Sequence, residues 1–276
     1  MADDHGSSHP VVSAEEAAGL ASRPDVRIVD VRWSLDDPDA GERAFAEGHI
    51  PGAVYLHWLR DLSDPDDPVE GQLASRDRFR DVMERAGIGD DTLVVAYDDN
   101  AIFLAARLCW ALQAYGHDRA VWLDGGFPNW VGSGRPVTTE PAPARTATFT
   151  VRERRELRRT KDDVVAALDI GGPPLFDCRM DATWRASRAH IPGARRFPAP
   201  ALLADDGSLR SRQEIARLAE EAGIPRDAPS ILYCGGGVSA SAAHLALRAA
   251  GFVHTSVYDG SWAEWGADPA TPKAPH

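Results

Sequence analysis

The chain has 276 residues, 30 Lys plus Arg against 42 Asp plus Glu, and a formal charge of −12. That balance excludes a general nucleic-acid binder, which needs basic surface to displace phosphate counterions, and the length suits two domains at roughly 100–200 residues each. Hydrophobic residues make up 43%, enough for a sizeable core. No apolar run approaches the roughly 18–20 residues of a membrane span.

In chain order, Met1–Gly6 is acidic and polar, without the basic and apolar stretches of a secretory leader. Ser13-Ala14-Glu15-Glu16 is a capping box that opens a first helix. Val26–Val31 is a short apolar strand. Ser75–Ala86 has helical periodicity, with Phe79, Val82 and Met83 on one side. Thr92–Tyr97 is a β-branched run fit for a buried parallel strand. A helix over Ala101–Tyr115 stops at Gly116, and a strand at Ala120–Leu123 leads through a Gly-Gly turn to a short helix ending at Trp130. Ser133–Thr150, with Pro136, Pro141 and Pro143, reads as an extended linker. The order then returns: strands near Leu175–Asp177, Ser230–Tyr233 and Ser256–Tyr258, and helices near Ser211–Ala222 and Ser239–Ala250.

The return is also visible in the letters. His49-Ile50-Pro51-Gly52-Ala53 recurs as His190-Ile191-Pro192-Gly193-Ala194, and Ala86-Gly87-Ile88 as Ala222-Gly223-Ile224. Asp124-Gly125 recurs as Asp259-Gly260, Trp130 as Trp265, and Asp30-Val31-Arg32 is matched by Asp177-Cys178-Arg179. A spacing this long means two copies of one domain rather than a solenoid. Alternating strands and helices imply an α/β fold: two tandem doubly wound domains, each a central parallel sheet flanked by helices. The expected division is 9–137 for the first domain, 138–150 for a linker and 151–276 for the second. Each His-Ile-Pro-Gly-Ala segment is expected to be a structural turn.

The copies differ where chemistry is expected. Tyr97 is followed by Asp98-Asp99-Asn100-Ala101, Tyr233 by Cys234-Gly235-Gly236-Gly237-Val238-Ser239-Ala240. Ligand sites in parallel sheets lie beyond the carboxyl ends of the strands. A helix start offers unpaired N–H groups and partial positive charge, and glycines let a loop turn its amides toward one point. Such a cradle favours an anionic sulfur, so Cys234 is expected to be a reactive thiolate, reachable from solvent, with the Gly235–Ser239 amides around it. Cys109 and Cys178 are expected to be core residues. Three cysteines without a Cys-x-x-Cys pair exclude a disulfide scaffold and a four-thiolate zinc site, and fit a reducing compartment, the cytoplasm. A cysteine phosphatase or arsenate reductase is a rival reading, but it needs an Arg six positions after the nucleophile, where Ala240 stands. A silent binding module is the third.

The segments Asp30-Val31-Arg32-Trp33, both His-Ile-Pro-Gly-Ala turns, Leu123-Asp124-Gly125-Gly126-Phe127-Pro128-Asn129-Trp130, Tyr233 to Ala240 and Asp259-Gly260-Ser261-Trp262 together resemble the two-domain rhodanese-type sulfurtransferases. The resemblance implies an inactive N-terminal copy and a double displacement at Cys234. In that reaction the thiolate takes the sulfane sulfur of a small anionic donor, thiosulfate or 3-mercaptopyruvate. It passes the sulfur to a thiol (thioredoxin or a low-molecular-weight thiol) or to cyanide, without metal or organic cofactor. It also implies a donor-binding cation after the Asp-x-Arg strand end. Arg185 matches best, with Arg179 and Arg188 as neighbours, and His49 and Trp33 of the first copy are candidates to line the site. Thiosulfate-type members carry basic residues where Gly235 and Gly236 stand, and mercaptopyruvate-type members a Ser at Gly236, so the donor stays open between the two.

Overall fold

The computed structural model describes residues 10–99 and 103–276. The acidic start at Met1–Gly6, the expected domain start at residue 9 and the expected helix start at Ala101 lie outside the described residues. The chain divides into two compact units. One takes in the described residues up to Pro65 together with Leu73–Glu153, the other Asp66–Gln72 together with Arg154–His276.

The first unit runs β1 (Val11–Val12), α1 (Ala14–Leu20), β2 (Val26–Asp30), α2 (Ala40–Glu47), β3 (Val54–Tyr55), α3 (Arg76–Arg85), β4 (Leu93–Tyr97), α4 (Leu104–Ala114), β5 (Ala120–Leu123) and α5 (Gly126–Gly132). Its strands pair in the order β1-β5-β4-β2-β3, every pair parallel. The capping box at Ser13 and Glu16 forms as expected. Strands β2 and β4 are buried along their whole length; β4 accordingly reads as a continuous apolar run, while β2 also buries Arg27 and Asp30. A π-helical turn at Trp58–Leu62 and the helix α2 escape the sequence reading.

The second unit runs β6 (Arg158–Arg159), α6 (Lys161–Asp169), β7 (Leu175–Asp177), α7 (Asp181–Ser187), β8 (Ala189–His190), β9 (Arg195–Arg196), α8 (Arg212–Ala222), β10 (Ser230–Tyr233), α9 (Val238–Ala249), β11 (Thr255–Tyr258), α10 (Ser261–Ala267) and β12 (Ala274–Pro275). The sheet order is β6-β11-β10-β7-β9, again parallel throughout, with β12 and β8 as a separate antiparallel pair. Position for position this is the order of the first unit, so the duplication read from short motifs is a duplication of topology.

The motifs repeat as contacts. Ile50 N donates to the Tyr97 hydroxyl at 3.2 Å, and Ile191 N to the Tyr233 hydroxyl at 3.2 Å. Trp130 Nε1 donates to Pro136 O, Trp265 Nε1 to Pro272 O. Ala53 N closes on Ile50 O and Ala194 N on Ile191 O, across Gly52 and Gly193 at φ 81° and 74°. The two His-Ile-Pro-Gly-Ala segments are therefore structural turns.

The stretch expected as a linker, 138–150, is not a free spacer. Thr138 bridges to His49, Arg145 donates to Val26 O at 2.6 Å, Asp90 N reaches Thr148 O, and Thr150 N reaches Asp90 at 2.7 Å. Phe149 is buried against Phe79. Prolines keep this segment extended, but its backbone groups and one aromatic ring hold it to the first unit.

Candidate active site

β10 is a central strand of the second sheet, and the chain leaves its carboxyl end at Cys234. Four residues later it is helical again in α9. Gly237 caps that helix at φ 77°, the left-handed region that favours glycine. Gly235 and Gly236 do not have such angles. A Cβ on Gly236 would meet nothing within 4 Å, and one on Gly235 would reach only Thr183 Cγ2 at 3.9 Å. Those two glycines are therefore not required by backbone strain. What they supply is open space over the loop.

The amides of the loop are divided between two tasks. Cys234 N and Gly237 N both donate to Ser261 Oγ, each at 3.1 Å, and that hydroxyl donates to Tyr258 O at 2.7 Å. The start of α10 also grips the loop from outside: Trp262 N donates to Cys234 O at 3.0 Å and Ala263 N to Gly235 O at 2.8 Å. Among the described residues, the N–H groups of Gly235, Gly236, Val238 and Ser239 make no hydrogen bond. The cradle is thus narrower than expected. Four amides remain for a ligand, and Cys234 itself is only 2% exposed. The expectation that Cys234 is reachable from solvent is therefore corrected: the residue is buried in this structure.

Ser261 escaped the sequence reading. It is fully buried and sits at φ 51°, one of three described non-glycine residues with positive φ. Its counterpart in the first copy is Gly126, at φ 62°. The signal was present as a Gly-to-Ser difference after a shared Asp-Gly pair. Thr183, which lies against the loop from α7, left no such signal.

Below the loop lies a buried polar frame. Arg179 Nε donates to both Asp177 carboxylate oxygens at 2.9 and 3.0 Å, its other nitrogens reach Ser187 Oγ and Ala189 O, and its guanidinium stacks on Trp262. The Tyr233 hydroxyl donates to Asp177 Oδ2 at 3.0 Å. Arg179 is 1% exposed, so the expectation that it meets a donor is corrected: the carboxylate two residues earlier turns it inward. Arg32 and Asp30 form the same pair in the first unit.

Arg185 lies on α7, its side chain 75% exposed and 3.7 Å from Asp181. Thr183, two residues before it, faces the loop. Two residues turn about 200° around a helix, so Arg185 leaves the far side of α7 and the structure does not bring it onto Cys234. Arg188 is exposed and left-handed at φ 53°. Arg196, which the sequence reading passed over, lies closer to the frame: it bonds Asp177 O, Arg179 O and Asp181, and lies over Trp184. His49 and Trp33 are likewise corrected to framework roles. The His49 ring nitrogens lie 2.8 and 3.0 Å from Phe45 O and Glu140 O, and buried Trp33 packs edge-on against Trp58.

Cys109 and Cys178 are buried and unpaired, as is Cys234. Burial pushes both other thiols well up in pKa, and Cys178 is raised further by Cys234 beside it. Among the described residues no group of three His, Cys, Asp or Glu side chains is placed to hold a metal, and no helix is long and apolar enough to cross a membrane.

A parallel α/β unit with a cysteine loop at a helix start, preceded by a matching unit with aspartate in its place, is the arrangement of a tandem sulfur-transfer protein. A family model for the rhodanese-like domain matches residues 13–133 and again 160–268, and the chain belongs to the rhodanese family, with two tandem domains. It is 34% identical to the SseB protein of Mycobacterium tuberculosis, with 95% of each chain covered. It is 31% identical to the thiosulfate sulfurtransferase of Gallus gallus, over 94% of this chain and 90% of that one. The structure of the 3-mercaptopyruvate sulfurtransferase SseA from Escherichia coli superposes with a TM-score of 0.84 at 27% identity, over 92% of this chain and 99% of that one. The chain is a sulfurtransferase.

Proposed function

We propose that Cys234 carries the transferred sulfur between a small anionic donor and a nucleophilic acceptor. The observation that supports this most is the pairing of Cys234 with four unclaimed amides at one helix start, under open space above Gly236. Cys109 and Cys178 have no such surroundings. The thiolate attacks the sulfane sulfur of thiosulfate or the thiol sulfur of 3-mercaptopyruvate. A new S–S bond forms to Cys234 and the old S–S or C–S bond breaks. The electron pair leaves on sulfite, or on the enolate of pyruvate, which takes up a proton. A thiol (of thioredoxin or of a small molecule) or cyanide then attacks the outer sulfur and frees the thiolate, which is covalent catalysis in two steps. The Gly235, Gly236, Val238 and Ser239 amides meet the charge on the outer sulfur or the donor's oxygens. Three unpaired thiols suit the reducing cytoplasm.

The test is intact mass after incubation with each donor in turn. The expected product gains the mass of one sulfur atom, located on Cys234, and loses it to cyanide or a thiol. Cys234→Ser gains none. A protein that keeps its unmodified mass with both donors, or a variant that still loads, refutes the reading.

A further inference from the structure

Cys178 has no part in the reaction above, yet the fold sets it next to the sulfur carrier. β7 and β10 are parallel neighbours with Asp177 opposite Tyr233, and Cys178 N donates to Tyr233 O at 2.7 Å. The ladder therefore runs one position past both strands and places Cys178 beside Cys234. Neighbouring strands lie about 4.8 Å apart, inside the roughly 4.4–6.8 Å between Cα atoms that a disulfide spans. Register partners share a face of the sheet, and successive residues alternate between faces. Asp177 and Tyr233 meet on one face at 3.0 Å, so the two cysteines that follow them turn together to the other. Cys178 is fully buried, remains protonated at rest, and does not compete for donors.

We propose that Cys178 is a resolving thiol that captures oxidised Cys234 as a reversible disulfide. The inference rests on Cys234 being the reactive sulfur carrier. A thiolate of that kind also reacts with hydroperoxides, and its second oxidation, to sulfinic acid, is irreversible without a dedicated repair enzyme. In the first step the Cys234 sulfur takes one oxygen from the hydroperoxide. The O–O bond breaks, water or alcohol leaves, and Cys234 becomes a sulfenic acid. In the second, the Cys178 sulfur bonds to the Cys234 sulfur, the S–O bond breaks, and the departing hydroxide takes the Cys178 proton as water. A dithiol reductant returns both thiols. The catalytic loop is then switched off under peroxide instead of being destroyed, a transient use of a disulfide that a reducing compartment permits.

The full chain, free of donor, is treated with hydrogen peroxide, alkylated and digested with trypsin without reduction. Cleavage after Lys161, Arg179, Arg226 and Arg248 gives peptides 162–179 and 227–248, each with one cysteine. The expected digest contains these two joined, lighter than their sum by two hydrogens. Dithiothreitol separates them and restores sulfur loading of Cys234. Cys178→Ser and Cys178→Ala load normally before peroxide, then lose loading permanently, with two or three oxygens on Cys234. Alkylated Cys178 alongside overoxidised Cys234 in the parent protein overturns the proposal, as does equal recovery in parent and variants. Where a variant fails to fold, the parent's peptide map decides alone. Failure of Cys234 to load before any peroxide is added refutes the carrier reading instead, and the joined peptide is scored separately.

Discussion

Replacing Ser261 with Ala removes one oxygen that three backbone groups share. Cys234 N and Gly237 N lose their acceptor and Tyr258 O its donor, all within a residue that is fully buried. An orphaned buried donor or acceptor costs about 1–3 kcal/mol. The neighbouring half-buried Gly235 and Gly236 admit water to part of the gap, so the low end of the range applies, and Cys234 N and Tyr258 O together cost about 2 kcal/mol. Ser261→Gly loses the same bonds but relieves the left-handed backbone, which costs a non-glycine residue about 1 kcal/mol or more. The glycine variant should therefore be the more stable of the two by about that amount. Urea unfolding followed by tryptophan fluorescence measures both, and the rate of sulfur loading measures the loop. With its anchor gone the loop shifts relative to Cys234, and loading should slow by about a hundredfold in both variants. Stability of Ser261→Ala within about 0.5 kcal/mol of the parent, or a glycine variant less stable than the alanine one, would refute the role given to this hydroxyl.

Arg185→Ala should leave KM for anionic donors within about twofold of the parent, because the side chain leaves α7 on the side away from the loop; a KM raised about tenfold with kcat unchanged would return Arg185 to donor binding. Asp177→Asn breaks the buried pair with Arg179 and should destabilise the protein by about 3–5 kcal/mol. Asp25→Asn, whose Arg23 partner is 41% exposed, should leave denaturation curves nearly unmoved, and similar losses in the two variants would contradict the burial argument. Burial, aided by Arg248, pushes His244 down to about 3, below its unfolded value of about 6.5. Its neutral form is thus favoured in the fold, so its contribution is complete above pH 6.5 and falls as the pH drops toward 3. Between pH 7.5 and 5.0 it should remove about 2 kcal/mol of stability, and His244→Leu should flatten that part of the profile. Parallel profiles for parent and variant would sink the assignment.

The duplication was legible because buried parallel strands are mostly apolar, and because the Asp-x-Arg and His-Ile-Pro-Gly-Ala segments carry contacts that each copy makes. Cys234 was legible for the same reason in reverse, as the place where the copies disagree. The inward turn of Arg179 follows from spacing, since residues i and i+2 of an extended chain share a face, but nothing in that spacing tells a buried ion pair from a donor site. The burial of Asp177 and Arg179 decides it. Prolines marked 138–150 as extended and gave no sign that Phe149 and Thr150 fasten it to the first unit. Thr183 and Arg196 were invisible because their roles depend on which elements pack together, not on local pattern.

The contrast between Gly126 and Ser261 bears on how such a duplicated protein can specialise. Building a second sulfur centre in the N-terminal half would take more than exchanging Asp98 for cysteine. It would also need a hydroxyl at position 126, where the backbone already holds φ 62°, to pin the new turn from behind. A side chain at 126 without a cysteine loop to anchor would bring only the strain of a non-glycine residue at that angle, so the two exchanges would have to arrive together.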